Sequence, residues 1–221
     1  MKQEEKSKKS VERILTAALQ EFGQHDYFSA SINNICRNGE ISKGMLFHHF
    51  KNKEELYCRC VERCIGDLCQ ALEENASQRE AAPMLRLEES FQVRSRFFQK
   101  NPFYRQIFFT AMFDQPKGLE ERIAPILRRL RETESRSLVR ILETYPLREW
   151  VQPEKVADSI LDFANYLSMK HRAAMLAQDA SVPRVLEAQK QEFFNMLRMV
   201  LYGVVPPLEL PFMDTRVTVP T

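Results

Sequence analysis

An all-helical fold is what this sequence predicts, and three observations predict it. Glycine is scarce, at six of 221 residues, which disfavours a large α/β fold with glycine-rich loops. Leu, Glu, Arg, Ala and Met, all good helix formers, are plentiful. Apolar residues return at helical spacing, and prolines fall between or at the starts of the periodic stretches. With 44% hydrophobic and 28% charged residues, the chain has an ordinary folded composition, which excludes wholesale disorder. No run of roughly 18 apolar residues exists, so a membrane span is not expected. The polar N-terminus shows no secretory signal. The odd count of five cysteines fits a reducing compartment better than a disulfide framework. A cytoplasmic protein with no membrane partner is expected.

The first ten residues, polar and lysine-rich, read as a frayed arm. From Val11 the pattern is helical: Ile14, Leu15, Ala18, Leu19 and Phe22 form one apolar face, with Gly23 near its end. Ser31 is a good N-cap for a second helix, which should stop near Gly39 in the left-handed conformation. Ser42 caps a third helix, running to about Phe50. Two short helices joined by a tight glycine-containing turn are the pattern of a helix-turn-helix. A fourth helix follows Asn52, with Glu54 and Glu55 in its first turn, where the helix dipole favours them. Leu56, Cys60, Cys64, Leu68 and Leu72 give it a buried stripe as far as about Asn75. Proline punctuation then places helices at about 84–100, 102–114, 119–144, 153–178 and 182–202, about nine in all, with Pro125 able to split the third of these five. The segment from Val204 to Thr221 holds four prolines and cannot be a helix.

The chemistry-bearing stretch runs from Ser31 to Leu56. Ile32, Ile35 and Ile41 can pack two short helices together, and the first turn after Ser42 points Lys43, Gly44 and Met45 outward. Gly44 has no side chain, so a DNA backbone or base edge can approach closely. Between Ile41 and Lys53 stand Lys43, Lys51 and Lys53 and no acidic residue. A net charge of only +2 over the chain hides this local footprint.

These residues resemble the DNA-binding domain of TetR-type bacterial transcriptional regulators. The family's first-helix stripe, ILxAAxxxF, is matched from Ile14 to Phe22. Its closing pattern, VSKGTLYxYFxxKExL, is matched from Ile41 to Leu56. Met45, Phe47 and His49 replace the family's hydroxyl-bearing residues. Asn38 stands where the family has a small residue, so the family's operators are not assumed to fit. The resemblance implies a DNA-binding domain at 1–52 and a ligand-binding and dimerisation domain at 53–203, ahead of the Pro-rich tail at 204–221. Helix-turn-helix geometry sends Lys43 to His48 into the major groove of double-stranded DNA, with Lys43, Met45 and His48 as base-edge readers. Ser31, Asn33, Ser42, Gly44, Phe47, His49, Lys51 and Lys53 would position the phosphates or support the helix.

Outside this segment the signals are weaker. Adjacent His48 and His49 point about 100° apart on a helix and cannot readily share one ion, so no metal and no cofactor is expected. Cys58, Cys60, Cys64 and Cys69 read first as small buried residues, with a thiol-based redox or metal-responsive regulator as the alternative. Seven of the fifteen phenylalanines fall between Phe91 and Phe113. They are either core or the wall of an apolar pocket for an unknown small-molecule effector, with Phe98, Phe108, Phe109 and Met112 as its lining. Arg94, Arg96 and Arg105 can face an anion but are expected to be solvated. The last two helices are apolar on nearly two sides and need partners on both. The resemblance makes them a homodimer interface through Phe163, Tyr166, Phe193 and Met196. No phosphate-binding loop, HExxH, GxSxG or convergent carboxylate set is present, so an enzyme is not expected.

Overall fold

The computed structural model describes residues 2–76, 83–176 and 182–204. Among the described residues ten helices and no strand are present: α1 (Lys2–Gln24), α2 (Ile32–Asn38), α3 (Lys43–His49), α4 (Lys53–Ala76), α5 (Pro83–Lys100), α6 (Pro102–Phe113), α7 (Glu120–Leu142), α8 (Pro153–Lys170), α9 (Arg172–Leu176) and α10 (Val182–Val204). None is long and apolar enough to cross a membrane. Most of the proline-rich tail read from the sequence lies outside the described residues.

Three expectations need correction. The N-terminal arm is not frayed: α1 begins at Lys2, with Glu4 and Glu5 in its first turn and Lys9 paired to Glu5 one turn earlier at 3.2 Å. An acidic first turn and an i,i+4 ion pair support a helix that meets no Gly or Pro before Gly23, near its end. Pro125 does not split α7. It lies near the helix start, on an exposed face, where the carbonyl left free can be hydrated. The helix expected over 153–178 is instead two. α8 stops at Lys170 and α9 restarts at Arg172, with His171 between them at φ −97° and ψ 4°. Arg172 pairs with Asp114 at 3.2 Å and Arg105 donates to the Met175 carbonyl at 2.9 Å, so long-range contacts hold the short helix.

The packing runs through α4. It lies against α1, α5, α6 and α7, and its inward face carries Leu56, Tyr57, Cys60, Val61, Cys64, Ile65 and Leu68, all buried. One hydrophobic cluster is continuous from Ile14 and Phe22 on α1, through α4, to Ile107 on α6 and Leu130 on α7. The α1–α3 head is therefore not a separate packing unit. A second cluster joins α5, the C-terminal half of α7, α8 and α10. Arg131 on α7 ties down α8 through Asp158 at 2.9 Å and Asp162 at 2.6 Å.

The cysteines are structural in placement. Cys36, Cys58, Cys60, Cys64 and Cys69 are all free and buried. Burial pushes the thiols of Cys58, Cys60, Cys64 and Cys69 up, and Cys64 Sγ donates to the Tyr104 carbonyl at 3.6 Å. Thiols held in the neutral form are poor nucleophiles and poor ligands. Among the described residues no group of three His, Cys, Asp or Glu is placed to hold an ion.

Candidate nucleic-acid interface

Side-chain caps and one buried acid set the geometry of α2 and α3. Ser31 caps α2, its hydroxyl accepting from the Asn33 N–H at 3.2 Å. Glu21, buried on α1, accepts from the Ser31 N–H at 2.8 Å and from Asn34 Nδ2 at 3.1 Å, which pins the start of α2 to α1. Ser42 caps α3 by accepting from the Met45 N–H at 3.1 Å. Arg13 closes the turn between the two helices, donating to both the Gly39 and Glu40 carbonyls at 3.0 Å.

The turn differs from its expected form. Gly39 is not left-handed but right-handed, at φ −87°. The residue with positive φ is Glu40, at 50°. Gly39 is required for closeness instead: a Cβ there would lie 2.5 Å from Ile41 Cδ1 and 2.9 Å from Ala17 Cβ.

The third helix is anchored by Leu46, fully buried, and flanked by Ile41 and Phe50, both buried. Its opposite side presents Lys43, Gly44, Met45, Phe47 and His48 to solvent. Met45 and Phe47 are 37% and 46% exposed, large for apolar residues that the core does not use. Around Gly44 the nearest atom to a built Cβ is Ser42 Oγ at 4.0 Å, so the helix start is open to a close backbone. His49 is half-buried, with its ring edge-on to His48 at 5.0 Å between centroids. Lys51 and Asn33 are exposed, and Ser31 is half-buried. Lys53 is placed differently from the other lysines. It donates to the Phe28 carbonyl at 3.3 Å and sits 4.8 Å over the Tyr27 ring. Burial pulls its pKa down against the charges of Asp26 and Glu21. Its role in this geometry is to brace the α1–α2 corner. Arg37, exposed on α2 and hydrogen-bonded to Asn34 at 2.9 Å, is a further cation of the α2–α3 unit that the sequence reading passed over. Its signal was the position one turn past Asn33 on the same short helix.

Beyond this head lies a cavity of about 380 Å³ between α5, α6, α7, α8, α9 and α10, with Leu72 of α4 also on its wall. Phe98, Phe108 and Phe109 line it, and Met112 does not: that side chain packs on the core cluster instead. Phe193 is on the cavity wall, 3% exposed and stacked on Phe91 at 3.8 Å, so it faces inward rather than toward a second subunit. Phe163 and Met196 are half-buried, and Tyr166 is 52% exposed.

Arg94 and Arg105 are not solvated as expected. Arg94 pairs with buried Glu134, donates to Asn165 Oδ1 at 3.2 Å and lies 5.4 Å over the Phe108 ring. Arg105 is half-buried on α6. Arg105, Phe108 and Phe109 stand three and four apart, so they share one helix face. That spacing was the available signal for a cavity arginine.

Residues 14–60 match the family described as bacterial regulatory proteins, tetR family. The chain is 48% identical over 44 residues to the HTH-type transcriptional regulator UidR of Escherichia coli (strain K12), covering 20% of this chain and 22% of that protein. The chain thus spans about a fifth of the length of the curated relative it matches. Over nearly the whole fold it is similar to solved transcriptional regulators. FadR from Bacillus subtilis, in complex with stearoyl-CoA, superposes with a TM-score of 0.67 at 14% identity, over 86% of this chain and 97% of that one. SmeT, the repressor of the Stenotrophomonas maltophilia multidrug efflux pump SmeDEF, gives 0.66 at 20% identity, over 92% and 94%.

Proposed function

We propose that this chain, whose residues 14–60 match the tetR family of bacterial regulatory proteins, is a homodimeric repressor released from a palindromic operator by a small apolar or amphipathic ligand. The observation that carries the reading is α3: a capped helix, locked from behind by Leu46, whose free face offers Lys43, Met45, Phe47 and His48 around an unobstructed Gly44. Lys43 and His48 read base edges, and Met45 meets a thymine methyl. Phe47 supports the helix against the groove wall. Ser31, Asn33, His49 and Lys51 set the register on the phosphates. The cavity supports the ligand response, because α6 both lines it and packs on α1. A ligand that binds one conformer better than the other shifts the spacing of the two recognition helices. That SmeT is a repressor supports the sign of the regulation. The buried, neutral thiols favour no redox alternative.

Selection of bound duplexes from a random pool, at two salt concentrations, tests the reading. A palindrome with half-sites about 34–36 Å apart is expected. On that site Lys51→Ala, lost from both subunits, should weaken binding to all sequences alike and lower the salt slope by about two, and Lys43→Ala should relax the base preference at one position of each half-site. His48→Ala should cost about 1–3 kcal/mol per half-site and relax the base preference at one position in each. Failure to enrich any sequence at low salt overturns the proposal.

A further inference from the structure

We infer that the cavity takes a monocarboxylate, with its carboxyl group on Arg105 and an apolar acyl or aromatic body between the phenylalanines of α5 and α6. The inference rests on the reading above only in treating this cavity as the effector site.

The charges on the cavity wall do not balance. Arg94, Arg96, Arg105 and Lys190 face Glu134 and Glu187. Each acid already has its own cation: Glu134 pairs with Arg94, and Glu187 lies 3.7 Å from Lys190. Among the described residues neither Arg96 nor Arg105 has a carboxylate partner. Arg96 is exposed, so water and salt compensate it. Arg105 is half-buried. Its partners are neutral, the Met175 carbonyl at 2.9 Å and the Phe98 carbonyl at 3.5 Å. Its Nε is buried with no acceptor. Burial alone pulls its pKa down, with no anion pulling the other way.

A guanidinium left in that state lacks a planar, two-oxygen anion. One uncompensated inner cation calls for one negative charge, which selects a carboxylate over a phosphate dianion. A cationic ligand would add repulsion. The rest of the wall sets the body: Phe98, Phe108 and Phe109 beside the stacked Phe91 and Phe193, around a volume of about 380 Å³. That volume is within the ordinary range of small-molecule sites.

Calorimetry on the purified full chain, without DNA, tests this with matched pairs: decanoate against 1-decanol, and 4-phenylbutyrate against 4-phenyl-1-butanol. At least one acid should bind with a micromolar Kd, and its alcohol at least ten-fold more weakly. Arg105→Gln should abolish the preference for the acid, and Arg96→Gln should leave it. Arg105→Lys, which keeps the charge and loses the fork, should retain part of it and guards against misreading an unfolded Gln variant. The inference is overturned if neither acid binds, if an alcohol binds as well as its acid, or if the preference survives Arg105→Gln. Operator selection is run separately: a palindrome selected without acid binding sinks only this inference, and acid binding without a selected operator sinks only the regulator reading.

Discussion

Glu40 occupies a backbone conformation that costs an L-residue with a Cβ about 1–2 kcal/mol. The Arg13 guanidinium, clamped on the Gly39 and Glu40 carbonyls, holds it there. Glycine at position 40 would relieve the strain, less about 0.5–1 kcal/mol of added chain entropy. Glu40→Gly should therefore stabilise the chain by up to about 1.5 kcal/mol in urea denaturation. Gly39→Ala should do the reverse, by about 1–3 kcal/mol, because the new methyl meets Ala17 Cβ at 2.9 Å. Equal stabilities for the two variants would show that the turn is looser than its contacts indicate. A glycine in sequence announces a turn but not which residue takes the positive φ, because Gly39 is needed for closeness and Arg13 acts from 26 residues away. The same limit applied to Arg105: its helical register was legible, but the neutral carbonyls that surround it come from Phe98 and from Met175, 70 residues further on.

At the scale of elements, α6 joins the two halves of the molecule. It carries Arg105, Phe108 and Phe109 into the cavity and lays Phe103 against α1. Its Tyr104 hydroxyl donates to Asp67 on α4 at 2.7 Å. Asp67 lies 3.5 Å from Arg63, which reaches Glu12 on α1 at 3.1 Å. These polar links are partly exposed and contribute little each. The apolar contact is the closer one: a Cβ on Gly23 would stand 2.5 Å from both Cβ and O of Phe103. Backbone cannot move aside as a side-chain tip can, so Gly23→Ala must push α1 and α6 apart. We expect a loss of about 1–3 kcal/mol and a weaker response of operator binding to ligand. Gly66→Ala on α4, with nothing within 4 Å of the added atom, should instead stabilise by about 0.5–1 kcal/mol. Native-like stability and ligand release in Gly23→Ala would remove α6 as the coupling element. Helical periodicity found nearly all the elements, because each buries one apolar stripe. It missed the break at His171, where no Pro or Gly marks the end and tertiary anchors on Arg172 and Met175 decide it.

For the whole molecule, the question is what covers the outer side of α8 and α10. Tyr166 and Met169 on α8 are 52% and 53% exposed, and Met199 on α10 is 69% exposed, with Phe163 and Met196 half-buried nearby. The sequence showed both helices to be apolar on two sides but not which side each residue takes, so Phe193 was set on the outer face when it lines the cavity. The second copy of the chain proposed above would cover this side and also give two recognition helices a fixed spacing, since a two-fold contact places the same patch of each subunit in one shared interface. In such a contact Tyr166→Glu introduces a charge twice, once from each subunit, into one desolvated region. The side chain is exposed within the protomer, so helical content and the cavity should be unaffected. Light scattering at micromolar concentration should report a 25.9 kDa monomer in place of a dimer. Operator affinity should fall about 100-fold or more, because the second half-site no longer binds at the high effective concentration that a dimer provides. A variant that stays dimeric with unchanged affinity would place the interface elsewhere, and the exposed methionines would need another partner. A variant that becomes monomeric yet keeps full affinity would break the link drawn here between dimerisation and the spacing of the two α3 helices.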